Sequence, residues 1–137
     1  MVPRKLFSEE DLIEKMTSDL SYTNNDLRSI NECLLETTYE YIDRGGKRIR
    51  PILAILIAEC LQDEFTNHDI FGLSAVSLGE ILGAVGEVIH NGSLVIDDIE
   101  DKSDFRRGKP CLHILKGDDI AINVGCFMYF QPLARLT

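Results

Sequence analysis

The sequence predicts an all-α fold, on three observations. Apolar residues recur three and four apart along almost every long segment, and no strand-like alternation is sustained. The composition, 45% hydrophobic and 27% charged, is that of an ordinary packed protein. At 137 residues the chain is long enough to bury most of one hydrophobic core, which predicts a single domain.

The first ten residues are polar and contain no apolar signal core. Asn25 or Asp26 caps a first helix with Leu27, Ile30, Cys33, Leu34 and Tyr41 on one face, ending near Arg44 at Gly45-Gly46. Pro51 suits the first turn of a second helix that runs to about Gln62 and is apolar nearly all round. From about Ile70 to Asp101 the residues are small and apolar, which predicts a central, enclosed helix. Glycines inside it cost roughly 1 kcal/mol each relative to alanine, so a close neighbour is expected there. Ser103 to Pro110 is a polar connection containing Gly108. Asp118 or Asp119 then caps a last helix through Ile120, Val124, Phe127 and Met128, interrupted near Gln131-Pro132.

Fourteen Lys+Arg against 23 Asp+Glu give a formal charge of -9, which repels a nucleic-acid backbone and an anionic membrane alike. A phosphate ligand must therefore be held by a few cations gathered locally, or by metal ions bridging to carboxylates. Cys33, Cys60, Cys111 and Cys126 lie far apart and, except for Cys111, in apolar helical context, so buried reduced thiols are expected. The longest apolar run, Ile52 to Ala58, is too short to span a bilayer, and a cytoplasmic location is expected.

Three constellations carry chemistry. Asp97-Asp98-Ile99-Glu100-Asp101 follows directly on Leu94-Val95-Ile96. Asp97 and Asp101 share one helical face, and Asp98 projects about 100° around the axis. Carboxylates this close favour a hard cation such as magnesium, which keeps waters and shares its shell with phosphate oxygens. Arg106-Arg107-Gly108 follows, and paired guanidinium groups bind phosphate bidentately. Third, Arg44, Lys47, Arg48 and Arg50 fall within seven positions around Gly45-Gly46 and next to a helix N-terminus, which suits a second diphosphate. His90, two turns before Asp97 on nearly the same face, is a candidate phosphate donor, whereas His68 and His113 are read as structural.

Taken together, Gly45-Gly46-Lys47-Arg48-Ile49-Arg50-Pro51, the stretch from His90 to Asp101, and Arg106-Arg107-Gly108-Lys109-Pro110 resemble the trans-isoprenyl diphosphate synthases, in order and in spacing. The pairs Ile99-Glu100, Ile122-Asn123 and Tyr129-Phe130 are most similar to eukaryotic-type geranylgeranyl diphosphate synthases. The resemblance runs from about Leu27 to Leu133. It implies an isoprenoid synthase-type helical bundle around a central cavity, of which this chain is the N-terminal half. It also implies roles: Asp97 and Asp101 hold Mg2+ on an allylic diphosphate with Asp98 supporting them, and Arg106 contacts that diphosphate. Lys47, Arg50, His90 and Arg107 hold isopentenyl diphosphate. Small Gly92 and Ser93 leave the cavity open, and Tyr129 and Phe130 form the floor that limits chain length. The implied reaction is condensation of the two diphosphates to a longer prenyl diphosphate, geranylgeranyl diphosphate being the expected product, by a homodimer or in association with a full-length synthase.

Family members are about twice as long and carry a second aspartate-rich motif, which has no counterpart among these residues, so little turnover by the separate chain is expected. Two other readings keep the same fold. A class I terpene cyclase needs no second diphosphate site, which Gly45 to Pro51 argues against. A non-catalytic subunit would associate with an active synthase without binding diphosphate.

Overall fold

The structure, a computed structural model, describes Ser29, residues 32–63 and residues 73–135. The expected caps Asn25 and Asp26, together with Leu27, Ile30 and His68, lie outside the described residues. A π-helical segment, Glu32–Glu36, runs into α1, Thr37–Asp43. The chain then forms α2, Ile49–Leu61; α3, Ala75–Glu100; a hairpin of β1, Phe105–Arg106, and β2, Lys109–Pro110; α4, Leu112–Lys116; and α5, Asp118–Phe130. A 3-10 turn, Gln131–Arg135, follows where the sequence places its interruption.

Gly45 and Gly46 end the first helix at φ 96 and 141, conformations open to glycine, and Arg44 is its C-cap. Pro51 lies in the first turn of α2, where its missing N–H costs no helical hydrogen bond. The long helix begins later than its composition suggests. Ser74 caps α3 in an extended conformation, its Oγ accepting from the Ser77 N–H at 3.1 Å. Asp118 and Asp119 do not cap α5; Gly117, at φ 90, precedes the helix and both aspartates sit in its first turn, where the helix dipole favours them.

The polar connection contains one feature the sequence reading omits. Arg107 and Gly108 both have positive φ, 54 and 76, which is the backbone of a two-residue hairpin turn, and Phe105 pairs with Pro110 and Arg106 with Lys109 around it.

Glycines set the spacing of α3 against its neighbours. A Cβ on Gly79 would lie 2.5 Å from the Ala58 Cβ, and one on Gly83 2.8 Å from the Pro51 Cα, so α2 approaches along that row. On another face a Cβ on Gly92 would lie 2.9 Å from the Met128 Cβ, which brings α5 close. Gly92 is therefore small to admit α5, and not to enlarge a cavity as expected. The core lies between these helices, built from Leu35, Tyr41, Ile42, Val88, Val95, Leu112, Val124 and Met128. α2 packs only its small-residue row; Ile52, Leu53, Leu56 and Ile57 are about half exposed.

The cysteines are free, as expected, but their burial is reversed. Cys111, set apart from the others in sequence, is fully buried, while Cys60 and Cys126 are exposed, because each lies on the outward face of its helix. Burial and the adjoining Asp98 carboxylate push the Cys111 thiol up to about 11. Among the described residues no helix is long and apolar enough to cross a membrane.

Candidate functional site

The C-terminal end of α3, the β1–β2 hairpin and the loop between α1 and α2 meet at one end of the bundle. Asp97 on α3 and Asp101 at its C-cap are exposed, whereas the Asp98 side chain is 1% exposed and turned inward. That division follows from helical geometry, since neighbouring residues point about 100° apart. Arg106 returns from the hairpin to bind both: its Nε donates to Asp98 Oδ1 at 2.5 Å and its Nη2 to Asp97 Oδ2 at 2.8 Å. The Tyr41 hydroxyl donates to Asp98 Oδ2 at 3.4 Å. Burial and the Asp98 charge push that phenol up to about 12, so it remains a donor at neutral pH. Asp98 thus holds Arg106 and Tyr41 in place and leaves Asp97 and Asp101 at the surface.

The four cations around Gly45-Gly46 divide into two kinds. Arg44 faces inward, donating to the Pro110 carbonyl at 2.7 Å and lying 5.1 Å over the Tyr41 ring. Arg48, at φ 50, pairs with buried Glu87 at 2.6 Å and also donates to the Ile42 carbonyl. These two belong to the framework. Lys47 and Arg50 are exposed and pair with no carboxylate among the described residues. Arg107, at φ 54, lays its guanidinium over the loop: its Nη1 donates to the Gly45 carbonyl, and a Cβ on Gly46 would meet its Cζ at 3.1 Å. The second glycine therefore makes room for this arginine.

His90 lies between these cations. Burial holds its imidazole below the usual 6.5, and the charges of Arg50, Arg107 and Arg106 lower it further against the opposing pull of Glu87. The structure thus places His90 in the joint field of Arg50, Arg106 and Arg107. Lys47 stands on the adjoining loop. Gly86, one turn before His90, has nothing within 4 Å of where a Cβ would be, so that side of α3 is open.

Among the described residues no group of three His, Cys, Asp or Glu side chains could hold a metal on protein ligands alone. The two exposed carboxylates still fit magnesium, which typically takes one or two carboxylates and completes its shell with water and phosphate oxygens. Asp97 and Asp101 would hold it there.

The sequence places Tyr41 on an apolar helix face and gives no role to Glu87 or Asn91, and all three are buried near this end. The available signal was a charged residue and an amide four apart within an apolar helix, which require partners when buried. Tyr129 is half-buried and Phe130 is 71% exposed at the end of α5.

One end of this helical bundle thus joins a cluster of cations to a pair of exposed carboxylates. The polyprenyl synthetase family profile matches residues 31–137, and the chain belongs to that family. It is 35% identical over 133 residues to solanesyl diphosphate synthase 2, chloroplastic, of Arabidopsis thaliana, covering 93% of this chain and 30% of that protein. It is 30% identical over 128 residues to the octaprenyl diphosphate synthase of Escherichia coli K12, covering 93% and 35%. Its fold matches the geranylgeranyl pyrophosphate synthetase of the archaeon Geoglobus acetivorans with a TM-score of 0.64 at 28% identity, covering 97% and 36%. The chain thus spans about a third of the length of these relatives.

Proposed function

We propose that these residues form the two diphosphate pockets of a magnesium-dependent prenyltransferase that condenses isopentenyl diphosphate with an allylic diphosphate. The observation that carries the reading is the pair Arg50 and Arg107, which act together on His90 and form no ion pair among the described residues, beside the exposed carboxylates Asp97 and Asp101. Lys47, Arg50, His90 and Arg107 would grip isopentenyl diphosphate with charge and hydrogen bonds alone. Asp97 and Asp101 would hold Mg2+, which neutralises charge developing on the departing diphosphate of the allylic substrate. Arg106, anchored by Asp98 and Asp97, would offer its remaining N–H groups to that diphosphate. A terpene cyclase has no use for the first pocket.

The product belongs to the same proposal. Geranylgeranyl diphosphate is favoured by the Ile99-Glu100 and Tyr129-Phe130 pairs, and Tyr129 and Phe130 would limit elongation from the end of α5. Pairing with a second synthase chain would cover Ile52, Leu53, Leu56 and Ile57 on α2. The test is a graft of residues 31–137 in place of the matching segment of the E. coli octaprenyl synthase. The graft is expected to incorporate isopentenyl diphosphate with magnesium, and Asp97→Asn to slow it on the order of 100-fold. Equal rates with and without the substitution would defeat the proposal.

A further inference from the structure

Buried polar side chains join the two segments that supply the cations of the magnesium-free pocket. Arg48 Nη1 donates to Glu87 Oε1 at 2.6 Å. Asn91 Nδ2 donates to that same oxygen at 3.1 Å and to the Glu87 carbonyl at 2.7 Å. Asn91 Oδ1 in turn accepts from Arg107 Nη1 at 3.2 Å, and Arg107 reaches back to the Gly45 carbonyl. The chain of contacts closes on the α1–α2 loop from both ends, since Arg48 also donates to the Ile42 carbonyl.

Two features set this path apart from ordinary core satisfaction. Glu87 and Asn91 are 3% and 0% exposed, on a helix face that they share with Ala84, Val88, Val95 and Asp98. A buried carboxylate is costly unless paired, so a merely structural position would be served better by an apolar residue. Arg48, at one end of the path, also has left-handed backbone, φ 50, which a non-glycine residue adopts at a cost of about 1 kcal/mol or more. Such strain persists only where surrounding contacts hold it.

We infer that Glu87 and Asn91 are positioning residues for the magnesium-free pocket: they hold the α1–α2 loop and the hairpin arginine at a fixed separation, so that Lys47, Arg50 and Arg107 converge on one diphosphate. The inference rests on the two-pocket reading above. Glu87 fixes the loop through Arg48, and Asn91 passes that constraint to Arg107. Neither side chain touches the ligand.

The experiment is calorimetric titration of the 137-residue chain with isopentenyl diphosphate, and separately with geranyl diphosphate plus magnesium. The parent is compared with Asn91→Ala and with Glu87→Gln, whose near-identical shape favours folding, and helix content by circular dichroism accompanies each. Both variants are expected to weaken isopentenyl diphosphate at least ten-fold while changing magnesium-dependent geranyl diphosphate binding less than two-fold. Unchanged isopentenyl diphosphate affinity, or equal loss of both ligands, would overturn the positioning role. A parent chain that binds geranyl diphosphate with magnesium but never isopentenyl diphosphate would instead remove the pocket itself, and the inference with it.

Discussion

Asp98 and Arg106 are joined at 2.5 Å across the end of α3, with the carboxylate buried and the guanidinium partly open. The acidic motif is thus divided between a residue that builds the site and two that face outward. Asp98→Ala would leave Arg106 and the Tyr41 hydroxyl without their acceptor, a loss of about 2–3 kcal/mol given the partial exposure of the arginine. Asp97→Ala, at a carboxylate 53% exposed, is expected to change stability by less than about 1 kcal/mol. Urea unfolding of both variants separates the two roles.

Two glycines of α3 should respond in opposite directions to the same substitution. Gly83→Ala drives a methyl group onto the Pro51 backbone, 2.8 Å from its Cα, and should destabilise by about 1–3 kcal/mol despite better helix propensity. Gly86→Ala meets nothing within 4 Å and should stabilise by up to about 1 kcal/mol. Thermal unfolding of the pair tests the α2–α3 approach.

His90 predicts a pH dependence. Its folded pKa lies below 6.5, so as pH falls through 6.5 the unfolded chain takes up the proton first, and stability is lost toward the lower folded value. A bound diphosphate beside the imidazole reverses the sign by favouring the charged form. Binding of isopentenyl diphosphate near pH 6.5 should therefore draw a proton onto the protein, read from binding heats in buffers of different ionisation enthalpy. His90→Gln should abolish the difference.

Local patterns were legible from sequence alone. The helical spacing and the glycine stop after Arg44 are set within a few residues, and the motifs Asp97 to Asp101 and Arg106 to Gly108 stand together at one end of the bundle. What was not legible depends on tertiary contact. Arg44, Lys47, Arg48 and Arg50 read as one cationic group, yet only burial shows that Arg44 and Arg48 serve the framework. Gly92 reads as an open space and is instead the contact point for Met128. Cys60 and Cys126 sit in apolar helices but on their outward faces, and buried Glu87 finds its partner in Arg48, 39 positions away.

The most direct measurement is the magnesium dependence of ligand binding in two variants. Parent protein should bind isopentenyl diphosphate without metal and geranyl diphosphate only with it. Lys47→Ala should weaken the first at least ten-fold and spare the second, and Asp97→Asn should do the reverse. Isopentenyl diphosphate binding that requires magnesium, or geranyl diphosphate binding indifferent to both the metal and Asp97→Asn, would contradict the two-pocket account.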